Sequence, residues 1–272
     1  MFFLAGVLPG EATLHLKQLT LFGMLCRLPG NILHRIAREI LTCSSQSDKN
    51  WYANVRDLCF QYNLPHPLVL LSQPQSKESF KRLIKSQVTD FWQSKLRAHA
   101  ASLPSLRYFK PQFMSLSSPH QMWSTATDSY SVNKTVTVAR MLSGRYRCGS
   151  LLRHFSKSVS GTCELCEHDV ETIEHILLPE CPQLLENKEH VLNYSRKKLK
   201  NYPECLRLFN FAISSKNPTL TTQFLLDPTV LPEVIHSNQK DNTVIPQLLL
   251  VTSTWCYSMH RARLKFVEQI SK

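Results

Sequence analysis

Apolar residues recur along most of this chain at helical spacing. Residues 11–27 (EATLHLKQLTLFGMLCR) are apolar on most faces, the pattern of a buried helix. Leu28, Pro29 and Gly30 end it, because proline cannot continue the hydrogen-bond ladder and glycine frees the backbone. Asn31 can cap a second helix over 32–42. Trp51, Val55, Leu58, Cys59 and Tyr62 fall at i, i+4, i+7, i+8 and i+11, one stripe of an amphipathic helix that Pro65 and Pro67 close. Ser76 can cap a long helix over 77–100, with Phe80, Leu83, Ile84, Val88 and Phe91 as its apolar stripe and many lysines and arginines on the other faces.

Residues 101–130 break this rhythm with three prolines and many serines. They predict a connector with aromatic anchors, Tyr108, Phe109, Phe113 and Trp123, which should pack on the core rather than stack on bases. A helix over 132–142 follows, stopped by Gly144. Helices are then expected at 183–200, 204–213 and 247–268, with loop-rich sequence around Pro218, Pro228 and Pro232. Pro246 sits near the first turn of the last helix, where proline is tolerated. The expected fold is mainly α, a helical protein with a small CCHC zinc knuckle. It divides into a helical region (1–100), the connector (101–130), a stretch with a basic helix, the knuckle (161–182) and a following helix (131–200), and a C-terminal helical region (201–272).

Composition sharpens this reading. The 272 residues are enough for one large domain or two small ones, and only 7 glycines against 15 prolines disfavour a barrel or sandwich. A net charge of +12 attracts polyanions, with RNA or DNA the first candidate and an anionic membrane surface or acidic protein behind it. Nine cysteines, an odd number and mostly isolated, do not form a secreted disulfide framework and fit a reducing compartment. The apolar first ten residues lack a basic flank and are cut by Pro9, so they make a poor signal peptide. Residues 244–257 are too short and polar to span a bilayer. The expectation is an intracellular protein of nucleus or cytoplasm, not secreted, with no transmembrane segment, no membrane partner and no small-molecule substrate.

The residues that carry chemistry lie in GTCELCEHDVETIEHILLPECP, which spaces Cys163-x2-Cys166-x8-His175-x5-Cys181. Two cysteines two residues apart can bend one turn around a metal. A histidine on a following short helix and a cysteine just past its end complete a tetrahedron. Soft thiolates with one imidazole select Zn2+ among common intracellular metals, and four protein ligands make the site structural. His168 is a spare ligand, but a helix over 172–178 aims His175 back toward the pair. Arg140, Arg145, Arg147, Arg153 and Lys157 crowd the approach, with Tyr146 and Phe155 interleaved. Arginine forks phosphate and aromatic rings stack on unpaired bases, so Arg140, Arg145, Tyr146, Arg147, Arg153 and Lys157 are candidate nucleic-acid contacts. Alternatively, these charges are solvated or pair with Glu164, Glu167, Glu171 and Glu174. Arg196, Lys197, Lys198 and Lys200 add positive charge beyond the motif.

The run ARMLSGRYRCGSLLRHF, then CELC, then IEHILLPECP, resembles the C-terminal region of LINE-type, non-LTR retrotransposon reverse transcriptases. LHLKQLTLFGMLCRLPGNILHR, WYANVRDLCFQYNLPHPLVLL, LPSLRYFKPQFMSL and TWCYSMHRARLKF resemble segments around it, so the likeness spans nearly the whole chain. It implies a region following the polymerase core, with a CCHC knuckle at Cys163, Cys166, His175 and Cys181 that contacts template RNA or target DNA. No Asp-Asp pair is present for a two-metal polymerase centre, and no Pro-Asp pair for a restriction-like nuclease. The apolar start at Met1 looks like the middle of a longer protein, a truncated copy or fragment. The expected function is therefore a non-catalytic, zinc-stabilised, nucleic-acid-binding C-terminal fragment. The alternatives are a zinc-stapled protein-interaction module or a decayed retroelement relic without function.

Overall fold

A computed structural model describes residues 2–43, 49–156 and 160–270, with side chains through Glu268. Its backbone is helical, and among the described residues there is no strand, only an isolated antiparallel bridge between Thr162 and Val170. The chain divides into two compact units, Phe2–His99 with Ser115–Ser118, and Ala100–Met114 with Pro119–Lys272.

The first unit contains α1 (Phe2–Ala5), α2 (Gly10–Cys26), α3 (Ile32–Cys43), α4 (Trp51–Gln61), α5 (Pro67–Ser72) and most of α6 (Lys77–Ala101). Its core gathers Leu19, Phe22, Val55, Tyr62, Ile84 and Val88. The Tyr62 hydroxyl accepts a hydrogen bond from Trp92 Nε1 at 3.0 Å and meets His15 Nδ1 at 2.6 Å, so the buried phenol is satisfied on both sides. Gly23 sits mid-helix because a Cβ there would lie 2.3 Å from the Phe80 ring. The expectation of a buried helix over 11–27, apolar on most faces, is corrected for α2. Only the face carrying Ala12, Leu19, Phe22 and Cys26 packs inward, and Leu14, Leu21 and Met24 are more than half exposed. The short α5 was not expected, because prolines at 65 and 67 read as a stop, whereas Pro67 occupies the first helical position.

The second unit is built around its last helix. Its elements are α7 (Ser129–Leu142), α8 (Gly149–Phe155), α9 (Ile173–Leu177), α10 (Leu185–Leu199), α11 (Pro203–Ile213), α12 (Pro218–Leu226), α13 (Pro232–Lys240) and α14 (Val244–Ile270). Helix α14 packs against α7, α9, α10, α11, α12 and α13. Leu248, Trp255, Cys256 and Met259 of α14 are buried at that junction. Asp128 caps α7 in a reciprocal box with Ser131. The loop expected around Pro218 and Pro232 is instead two helices, each with its proline at the start, where the missing N–H has no partner to lose. Pro246, in the first turn of α14, is tolerated for the same reason. Within the connector, Tyr108 and Phe109 are buried as expected of anchors, whereas Phe113 is 53% exposed.

Candidate metal centre and arginine cleft

Residues 161–172 fold back on themselves. Cys163 N–H donates to Asp169 O at 2.8 Å and Glu171 N–H to Gly161 O at 2.9 Å, either side of the Thr162–Val170 bridge. Glu167 N–H closes the Cys-x2-Cys turn onto Cys163 O at 2.9 Å, and Glu167 takes a left-handed φ of 56°. Thr172 then caps α9, its hydroxyl accepting from His175 N–H at 3.1 Å. The far end of α9 is held by side chains from elsewhere in the unit. Trp255 Nε1 donates to Leu177 O at 3.2 Å, and Lys188 Nζ donates to Leu178 O. The chain next turns at Cys181, which caps a 3-10 turn over Pro182–Leu184.

These turns bring one ligand atom each from Cys163, Cys166, His175 and Cys181 within 4.8 Å of one another, all four residues buried. Cys166 Sγ lies 3.4 Å from His175 Nε2, so the imidazole presents that nitrogen to the thiols. The group can hold a metal ion. His168 stays on the exposed turn outside it. The surroundings suit such an ion. Burial lowers the pKa of His175, favouring the neutral ring that a metal ligand needs. Burial pushes the Cys163 thiol up to about 12 and raises Cys181. Burial also opposes ionisation of Cys166, but backbone N–H groups of Asp169 and His168 and the neighbouring thiols outweigh it and lower its pKa. A divalent cation would satisfy all three sulfurs at once. Three thiolates around it leave net negative charge, and the buried Lys188 ammonium is placed to balance that charge.

The carboxylate of Glu171, 1% exposed, ties this loop to α14 and α8. Arg263 grips it with Nε to Oε1 at 2.5 Å and Nη2 to Oε2 at 2.8 Å. Gly149 N–H donates to Oε2 at 2.7 Å, and Ser150 N–H to Glu171 O at 3.0 Å. Gly149 must be glycine, because a Cβ would stand 2.7 Å from Gly161 O. Glu174 is gripped by Arg107 and the Tyr108 hydroxyl. Glu171 and Glu174 thus pair with Arg263 and Arg107 rather than with the arginines nearest in sequence.

Arg140, Arg145 and Arg147 are exposed and line one cleft of about 500 Å³, joined by Ser143, His260 and Arg263. Arg153 is exposed but lies beside Gly161 rather than among the residues lining this cleft. Lys157 lies outside the described residues. Tyr146 is 5% exposed, its hydroxyl 3.0 Å from His260 Nδ1 and its ring under the Arg263 guanidinium. It lines the cleft, and the expectation that its ring stacks on bases is corrected: the ring is buried, with Arg263 over it and His260 at its hydroxyl. Phe155, 77% exposed, borders a neighbouring depression that also includes Arg145 and Arg147. Burial lowers the pKa of His260, and the charges of Arg263, Arg140 and Arg261 add to that. Sequence reasoning missed Arg263 and His260. Their i, i+3 spacing puts them on one face of α14, but only the folded chain brings that face to Arg140. No described helix is long and apolar enough to cross a membrane. No family model, no curated protein and no solved structure matches this chain.

Proposed function

We propose that this chain is a zinc-stabilised, non-catalytic, nucleic-acid-binding region of the kind found at the C-terminus of LINE-type reverse transcriptases. The observation that carries the reading is the Glu171–Arg263 pair, which joins the loop of the metal-ligand group to a cleft with three exposed arginines. Three thiolates and an imidazole favour zinc over harder cations, and a complete protein ligand set leaves no position for an activated water. The ion would therefore act as a clamp. Residues Cys163, Cys166, His175 and Cys181 would hold it, and the loop so fastened would keep Glu171 against Arg263. Guanidinium groups around the cleft can fork phosphate oxygens, and this contact is largely blind to sequence. The absence of an Asp-Asp pair supports a binding role rather than polymerisation. The likeness in ARMLSGRYRCGSLLRHF, CELC and IEHILLPECP supplies the family. Fluorescence anisotropy with labelled RNA and DNA, before and after zinc chelation, tests the reading: salt-sensitive binding that weakens on chelation is expected, and no binding to either nucleic acid would contradict it.

A second reading rests on the first unit. Leu14, Leu21 and Met24 of α2, Leu28 of the turn after it and Ile32 and Leu33 of α3 are exposed, an apolar display of the kind that marks a protein partner. A defined complex, lost on changing Leu21 and Met24 to Ser, is the observation expected of that reading.

A further inference from the structure

A second basic cleft, of about 490 Å³, opens on another flank of α14. It is lined by Tyr130 of α7, Asn187 and His190 of α10, and Tyr257, Arg261 and Lys265 of α14. The three α14 residues recur every fourth position and so form one stripe. None of the described side chains lining the cleft is acidic. Tyr130 is 54% exposed and meets Tyr257 edge-on, ring centroids 5.5 Å apart at 86°. Lys134 supports Tyr130 from below. Its Nζ lies 4.3 Å from the ring centroid and donates to Thr254 Oγ1 at 3.1 Å, so this ammonium is buried and spent on holding the ring in place. Farther along α10, Tyr194 is 41% exposed with Lys198 over its ring.

We propose that this cleft is a base-stacking site for single-stranded nucleic acid, with Tyr130 as the stacking platform and Arg261 and Lys265 contacting flanking phosphates. The inference rests on the nucleic-acid reading above and narrows it to unpaired strands. A held aromatic face beside exposed cations is what an unpaired base with its phosphate requires, and a base locked in a duplex cannot reach such a face. The site also replaces the stacking function that the burial of Tyr146 removes from the first cleft. Arg261 connects the two, since its charge is felt at His260 in the first cleft while its side chain lines the second. A strand crossing the exposed end of α14 would thus meet phosphate contacts on one flank and a stacking ring on the other.

The test compares a labelled single-stranded DNA oligonucleotide with an abasic strand of equal length by anisotropy. The full chain should bind the base-bearing strand more tightly, and Tyr130→Ala should remove that preference, weakening the base-bearing strand by about five- to one-hundred-fold while leaving the salt slope unchanged. Tyr130→Phe should keep the preference. Arg261→Ala and Lys265→Ala should weaken both strands alike and flatten the salt slope by about 0.7 each. Equal affinity for the two strands in the parent protein overturns the proposal without any variant having to fold, as does an unchanged Tyr130→Ala. If Arg145 and Arg147 still matter in that case, the broader reading stands and only the stacking site fails. If the parent binds neither strand, the broader reading fails first.

Discussion

Arg263 and Glu171 form a two-pronged ion pair, at 2.5 and 2.8 Å, across 92 residues of sequence. The carboxylate is held further by Gly149 N–H, so it cannot turn away from the guanidinium. One end of the pair belongs to the metal-ligand loop and the other to the arginine cleft. The consequences of breaking it are therefore both structural and functional.

Removing one partner leaves the other charged and buried. Glu171→Ala should cost about 3–5 kcal/mol, the range for an uncompensated buried charge. Urea unfolding followed by tryptophan fluorescence checks this. Glu171→Gln, which keeps an acceptor for Gly149 N–H, should cost less. A Glu171→Ala midpoint equal to that of the parent would show that the pair does not hold the loop.

Native mass spectrometry should find one zinc ion per chain, and Cys166→Ser should release it. His168→Ala should retain the metal, because that ring stands outside the converging group. Loss of metal in His168→Ala with retention in His175→Ala would reassign the histidine ligand, and retention in Cys166→Ser would remove Cys166 from the set.

Chelation should spare most of the helix content. Structural zinc supplies roughly 10–16 kcal/mol in finger peptides, where it is the whole core. Here α14 packs on α7, α10, α11, α12 and α13 as well as on α9, so its core contacts extend well beyond the ligand segment. Circular dichroism after chelation should lose little signal. A collapse would mean that the metal organises the entire second unit.

Affinity for nucleic acid should rise as pH falls below the ordinary histidine range. His260 faces Tyr146, Tyr257, Arg140, Arg261 and Arg263, and its pKa is lowered first by burial and then by those arginines. A phosphate in the cleft offsets the arginine charges, raises the pKa and draws a proton onto the ring. For the unliganded fold the sign is opposite. A group whose pKa is depressed by folding contributes stability above its unfolded value, and that contribution is lost as pH falls through the folded one. His260→Gln should flatten the pH dependence of binding between pH 5 and 7, roughly the window of histidine titration. An identical pH profile in parent and variant would remove His260 from the cleft's chemistry.

Much of the helical layout can be read from the chain because its long helices carry unbroken apolar stripes, as in Phe80, Ile84 and Val88 of α6. The ligand group is legible for a local reason, since its four residues fall within one loop and one short helix. Two things are not legible. Prolines at 218 and 232 look like loop residues until the backbone shows them starting helices. The apolar Leu14, Leu21 and Met24 look buried until α2 is seen to pack on one face only. Tyr146 misleads for a related reason: it lies between Arg145 and Arg147 in the sequence, and only the placement of α14 shows its ring buried beneath Arg263.

On the proposed function, the exposed arginines beside the metal-ligand loop should hold nucleic acid through phosphate. Anisotropy of a labelled single strand, titrated at several salt concentrations, measures this. Three to five engaged charges predict a slope of log affinity against log salt of about −2 to −3.5. Changing Arg145 and Arg147 together to Ala should weaken binding to unrelated sequences alike and flatten the slope by about 1.4. A double variant that binds as the parent does, with the same slope, would show that these arginines do not hold the strand.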